Sequence, residues 1–206
     1  MSVNEFRLGV LVSGRGTNLQ AIIDSIEKKE LAAVIAFVIS DKVGVPAFER
    51  CARHGIDSVF ADPKIYSDRN RYDLALAEIF QSREVDLICL AGYMRILGAS
   101  FLKKFQGKVI NVHPSLLPAF PGLGAQGQAV TAGVKFSGCT VHFVNEKIDD
   151  GPIILQSAVP VHDSDDAEIL SARILEQEHI IYPKAIKMIL EKRLEFSGKR
   201  VLCKNN

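Results

Sequence analysis

The sequence predicts an α/β fold: a doubly wound, mostly parallel sheet with an antiparallel strand pair added in the second half and a long carboxy-terminal helix. Three observations carry that prediction. Continuous β-branched apolar runs alternate with helix-spaced segments through the first half. The pattern then changes to period-two alternation on either side of a turn-rich stretch. Finally, helical spacing runs from about Asp165 to Arg193.

The strands come first. Residues 8–12, 33–39 and 87–91 are apolar throughout and residues 109–112 are apolar except for Asn111, as strands covered on both faces are, and residues 58–60 form a weaker strand. Between them, residues 18–29, 46–54 and 68–82 place apolar side chains at helical spacing, so right-handed crossovers link parallel neighbours. Residues 138–144 and part of 152–161 alternate, and the turn-rich segment 145–151 joins them into an antiparallel edge hairpin. Asp165 with Glu168 has the spacing of a capping box for the last helix, and Pro183 is expected to kink or divide it.

No repeat, linker or low-complexity segment interrupts the 206 residues, so one domain spanning residues 1–206 is expected. A chain this long buries roughly 70% of its unfolded surface and needs neither metal nor disulfide to fold. Its 25 basic and 24 acidic residues nearly cancel, and no stretch supplies the basic face that nucleic acid requires. Cys51, Cys89, Cys139 and Cys203 are dispersed without any zinc-ligand spacing, and Cys89 sits in an apolar run as a small hydrophobe. The amino terminus lacks a signal-peptide pattern, and no apolar run approaches the ~20 residues that span a bilayer. The expectation is a cytoplasmic protein with no metal and no membrane partner.

Chemistry concentrates in three segments. Ser13-Gly14-Arg15-Gly16-Thr17-Asn18 lies between the first strand and the first helix, where glycines admit close approach and helix-terminal amides point at an anion. An ordinary strand-to-helix turn capped by Thr17 or Asn18 is the alternative. A dinucleotide fingerprint fits less well: Leu19 stands where the third glycine belongs, although Asp41 could imitate the ribose-binding acid. No Walker Gly-Lys-Ser/Thr follows, so a single phosphomonoester suits the loop best.

The second segment is Asn111-Val112-His113-Pro114-Ser115-Leu116-Leu117-Pro118, in which a strand breaks into a proline-rich loop. Positions two apart on a strand share a face, so Asn111 and His113 pair a carbonyl-polarising amide with a proton carrier. The third is the loop Asn145-Glu146-Lys147-Ile148-Asp149-Asp150-Gly151-Pro152. Asp149 is either a solvated turn residue or a carboxylate returned to His113, where it would favour the imidazolium.

These segments, together with Ala91-Gly92-Tyr93-Met94-Arg95-Ile96-Leu97, closely resemble the phosphoribosylglycinamide formyltransferase family of folate-dependent formyltransferases, from the first strand to Gln177-Glu178-His179. The Asn-x-His and Ser-Leu-Leu-Pro block marks the wider class of folate-dependent formyltransferases and formyl-folate hydrolases, and the Gly-x-Gly-Thr-Asn loop narrows it. The compact length leaves no room for the added domain of transfer-RNA formyltransferases. The resemblance implies the formyltransferase fold and transfer of a formyl group from 10-formyltetrahydrofolate to the amine of glycinamide ribonucleotide, with formyltetrahydrofolate hydrolysis as the rival activity. A non-catalytic nucleotide-binding module is a rival of another class, disfavoured because a binder needs no proton carrier.

By the same resemblance, Asn111, His113 and Asp149 are catalytic. Gly16, Thr17, Asn18, Leu19 and Gln20 would bind the ribonucleotide, with Glu178 on the ribose. Arg69, Met94, Arg95, Ile96 and Leu97 would line the folate site with Asn111, Asn145 and Asp149, the backbone of residues 94–97 reading the ring as an edge strand would. Taken alone, Arg69 reads as a solvated helix start, Glu178 as one acid on a polar helix face and Met94 as core. Gly124 departs from the family, where many relatives carry His or Asp. With Gly127 it suggests a mobile loop over residues 122–127 that offers no side-chain contact. A monomer or homodimer acting on two small molecules is expected.

Overall fold

The computed structural model describes residues 5–204. Its contacts gather into two compact units divided between Ile110 and Asn111. The first unit carries β1 (Phe6–Val12), α1 (Thr17–Glu27), β2 (Ala33–Ser40), α2 (Pro46–Arg53), β3 (Ser58–Phe60), α3 (Arg69–Ser82), β4 (Leu87–Leu90) and α4 (Ala99–Lys104). Strand β5 (Val109–His113) spans the division. The second unit carries α5 (Ala125–Thr131), β6 (Phe136–Phe143), β7 (Ile153–Pro160), α6 (Ala167–Leu190) and a small hairpin, β8 (Leu194–Ser197) with β9 (Arg200–Cys203).

The strands form a mostly parallel sheet in the order β3-β2-β1-β4-β5-β6-β7, with β1 parallel to both β2 and β4 and β6 antiparallel to β7. The doubly wound α/β fold with an antiparallel addition and a long last helix is therefore as the sequence predicts. Each parallel strand lies within a residue or two of its apolar run.

The core of the first unit forms because its strands have no polar face. Val10, Leu11, Val12, Val38, Ile39 and Ile88 are fully buried, and Leu19 and Ile22 of α1 and Leu76 and Phe80 of α3 are buried with them. Phe80 packs 5.0 Å from Phe37 and edge-on to Phe101 at 5.7 Å. Gly9 makes this possible, since a Cβ there would lie 2.5 Å from the Phe80 ring. Truncating so buried a ring costs about 3–5 kcal/mol.

Four local expectations are corrected. Strand β6 alternates in sequence, yet Ser137 through Phe143 are all buried, because β6 lies inside the sheet with β7 as its outer neighbour. Asp165 does not cap α6. Asp166 does, accepting from the Glu168 and Ile169 amides at 2.9 and 2.8 Å, while Asp165 binds Arg173 and the His162 amide. Pro183 lies inside an uninterrupted helix and does not divide it. The segment 122–127 is not simply a loop: Gly124 holds a left-handed conformation (φ 70°) as the N-cap of α5, and Gly127 is within that helix. Helices α4 and α5 were not anticipated, being too short to display a period. The β8–β9 hairpin was missed with them.

Candidate active site

On the second unit, β5 ends in Asn111 and His113, and the chain leaves through a loop pinned to the neighbouring strands. The Thr140 hydroxyl donates to the Ser115 carbonyl at 2.7 Å and accepts from the Leu117 amide at 3.0 Å. Gln156 donates to the Leu117 carbonyl at 2.9 Å. The Leu117–Pro118 peptide is cis. This bracing returns the Phe120 carbonyl to His113, whose Nε2 donates to it at 2.9 Å.

The other imidazole nitrogen, Nδ1, lies 3.3 Å from Oδ2 of Asp149. Both nitrogens of a buried His113 thus face acceptors, an arrangement only the doubly protonated ring satisfies at both positions. Asp149 is itself held: Oδ2 accepts from the Gly122 amide at 2.8 Å, and Oδ1 lies 3.6 Å from Nε2 of His142. Burial pushes the Asp149 pKa up, but hydrogen bonding from His142 and the Gly122 amide and the nearby His113 charge outweigh it and leave the carboxyl below its ordinary value.

Local backbone geometry delivers these groups. Phe120 and Asp149 both adopt left-handed conformations, φ 52° and 49°, which cost of order 1–3 kcal/mol each and persist only where surrounding contacts hold them. A Cβ on Gly151 would overlap the Phe143 carbonyl oxygen, so glycine there lets the Asp149 loop close down on β6. His142 joins the group from β6: its Nδ1 faces the Phe143 carbonyl at 2.9 Å and its Nε2 the Asn111 Nδ2 at 3.4 Å. Asn111, His113, His142 and Asp149 form one polar cluster. Its chemical capacity is clear: an amide donor and a charged imidazole can stabilise oxygen charge and pass a proton.

On the first unit, Gly16 is the N-cap of α1 in a left-handed conformation (φ 68°), and no side chain caps the helix, so Thr17 and Asn18 are not caps. A Cβ on Gly16 would lie 2.7 Å from that of Ala47. Thr17 is half-buried, Asn18 is buried and the Leu19 side chain belongs to the core, leaving its backbone amide in the first turn. The Gln20 side chain is already engaged, accepting from Arg50 at 3.0 Å and donating to Asp24 at 2.7 Å. Asp41 accepts from the Ser13 hydroxyl at 2.6 Å, which occupies the acid a dinucleotide would need.

Met94 and Ile96 are exposed, whereas Leu97 is buried. Met94 is therefore not core, and residues 94–97 lie outside any helix or strand. The Arg95 guanidinium stacks 5.1 Å above the Tyr72 ring, and Arg69 pairs with Asp73 at 3.6 Å. On the second unit, Asn145 shapes its own loop, accepting from the Lys147 amide at 3.1 Å. Glu178 is buried on α6 rather than on a polar face.

Sequence reasoning missed His142 and the Phe120 carbonyl. A histidine inside an apolar strand carries no motif, and a backbone carbonyl leaves no residue signature. Among the described residues no cluster of three or more His, Cys, Asp or Glu could hold a metal ion, and no helix is long and apolar enough to cross a membrane.

An α/β sheet whose strand-end Asn-x-His pair meets a returning carboxylate is the arrangement of a formyl-group transferase. The chain belongs to the formyl transferase family, whose model matches residues 6–186. Among its relatives, phosphoribosylglycinamide formyltransferase of Haemophilus influenzae is 45% identical over 91% of this chain and 89% of its own length. The trifunctional purine biosynthetic protein adenosine-3 of Gallus gallus is 42% identical over 98% of the chain, which spans only 20% of that longer protein. The solved structure of glycinamide ribonucleotide transformylase 1 from Symbiobacterium toebii superposes with a TM-score of 0.97 at 50% identity, covering 99% of this chain and 96% of that one.

Proposed function

We propose that this chain is a single formyltransferase domain that moves the formyl group of 10-formyltetrahydrofolate to the amine of N1-(5-phosphoribosyl)glycinamide, a step of purine biosynthesis. The observation that carries this reading is the bracketing of His113 by Asp149 and the Phe120 carbonyl beside Asn111. The substrate amine attacks the formyl carbon and the carbonyl π pair moves onto oxygen. The Asn111 amide and the His113 imidazolium stabilise that oxyanion. Collapse breaks the bond to the folate nitrogen, which takes a proton while the attacking nitrogen loses one. His113 is the group placed to relay it, and its Nε2 must first exchange the Phe120 carbonyl for substrate. Asp149 keeps the ring oriented through its Oδ2. No protein metal enters this scheme.

The ribonucleotide phosphate is received by the first-turn amides of α1 at Gly16, Thr17, Asn18 and Leu19, with the Thr17 hydroxyl, and its ribose by Glu178. Gln20 acts by holding that turn through Arg50 and not by direct contact. The folate is lined by Arg69 and residues Met94, Arg95, Ile96 and Leu97, with Asn145 and Asp149 on the loop that closes over its ring. The protein works in the cytoplasm as a monomer or homodimer without nucleic-acid or membrane partners. Formyl-folate hydrolysis is the competing activity, and an uncapped glycine turn at a helix start is a feature that attack by water does not require. Formyl transfer assayed with and without the ribonucleotide amine separates the two. Amine-dependent turnover is expected; formate release at equal rate without amine would overturn the assignment.

A further inference from the structure

Asp73 is a buried carboxylate outside the catalytic cluster. It lies on α3 one turn beyond Arg69, its side chain 3% exposed, and its Oδ2 accepts a 2.7 Å hydrogen bond from the Gly98 amide. Gly98 leaves no room for a side chain: a Cβ there would lie 2.6 Å from that same oxygen. Burial pushes the Asp73 pKa up, against the Gly98 hydrogen bond and the charge of Arg69. A buried carboxylate costs free energy that an apolar side chain in the same space would not. Something other than packing is needed to account for it.

The partners it holds suggest what that is. At its near end the segment from Met94 to Gly98 is tied by the Met94 amide, which donates to the Ser13 hydroxyl at 2.9 Å, and Ser13 in turn donates to Asp41. At its far end it is tied by Asp73. Between these ties, among the described residues, no hydrogen bond engages the backbone of Ile96 or Leu97. The segment is a strip without regular secondary structure, fixed at both ends, with peptide groups in the middle left for a ligand.

We propose that Asp73 is a positioning residue for the folate, holding through Gly98 the strip on which the ring is read. This rests on the assignment of residues 94–97 to the folate. Recognition through backbone groups tolerates displacement of only about 0.5 Å, so an unfastened strip loses affinity while the proton-transfer groups stay intact.

The test is steady-state kinetics of Asp73→Ala, Asp73→Asn, Gly98→Ala and Ile96→Asp. Asp73→Ala is expected to raise the folate KM about tenfold, the scale of one hydrogen bond to a charged group, with kcat and the ribonucleotide KM within about twofold. Asp73→Asn keeps an acceptor for the Gly98 amide and should recover most of the loss. Gly98→Ala, which displaces the carboxylate, should reproduce the defect even if Asp73→Ala folds poorly. Equal losses in both KM values and kcat, with no rescue by asparagine, would reduce Asp73 to a general structural role and overturn the proposal. Ile96→Asp checks the underlying assignment: an unchanged folate KM there removes the strip from the folate site. A raised folate KM there, with none in Asp73→Ala or Gly98→Ala, overturns the positioning role alone.

Discussion

His142 Nε2 lies 3.6 Å from Asp149 Oδ1, while the opposite oxygen of the same carboxylate faces His113 Nδ1 at 3.3 Å. Asp149 therefore joins two histidines, and through the His142–Asn111 contact all four polar side chains are linked. Because His142 Nδ1 faces a carbonyl, it carries a hydrogen. A neutral ring then accepts at Nε2 from Asn111, and a charged ring donates at Nε2 to Asp149.

That linkage makes the cluster behave as a unit. His142→Ala and Asp149→Asn should each lower kcat, and the double variant should lose less than the product of the two. The coupling should fall at about 0.5–3 kcal/mol. Asparagine is chosen at position 149 because, glycine aside, it tolerates the left-handed backbone well. Rate losses that multiply independently would show that His142 and Asp149 do not act as a unit.

Asn111→Ala should lower kcat by ~10²–10³ with little change in either KM, since the oxyanion it would stabilise exists only in the transition state. Near-normal kcat would exclude Asn111 from that role.

The glycine turn separates folding from binding. Gly16→Ala meets both a left-handed φ of 68° and the Ala47 side chain, so reduced stability should dominate its phenotype in urea unfolding. Thr17→Val leaves the backbone intact, and should raise the ribonucleotide KM with the folate KM unchanged. Equal changes in both would count against a phosphate site here.

Acid stability should report on Asp165. Its hydrogen bonds from Arg173, with that from the His162 amide, lower its pKa to about 2. The folded value lies below the unfolded ~3.9, so its stabilising contribution is complete above that pH and disappears as pH falls through the folded pKa. The difference in urea midpoint between the parent and Asp165→Asn should hold steady at pH 5 to 6, shrink below ~4 and vanish near 2. A difference independent of pH would show that the carboxylate charge contributes nothing.

Thiol reactivity should divide sharply. Burial pushes Cys51 up to about 11 and Cys139 up to about 12, the latter also through the nearby Glu178 charge, so neither forms thiolate readily at neutral pH. Cys89 is buried as well, whereas Cys203 is exposed on β9. Ellman's reagent should titrate one thiol quickly and three only on unfolding. Rapid reaction of a second would indicate local opening of the core.

Sequence alone was sufficient for the individual strands of the parallel sheet, for the strand-end Asn111 and His113 and for the glycine turn at Gly16, because those features are local. Apolar runs declare strands by their lack of a polar face, and two residues separated by one on a strand share a side whatever surrounds them. What sequence could not decide was every contact made between distant segments. His142 follows a register irregularity between Val141 and His142, and past such a bulge alternation no longer tells which way a side chain is aimed. Asp165 and Asp166 are chemically identical, and only the position of Arg173 and the start of α6 assigns one to an ion pair and the other to the cap. In sequence Asp149 reads equally as a turn residue or as a partner of His113, and only the fold sets the Gly122 amide, His113 and His142 around it, since a loop's composition does not encode what it closes upon.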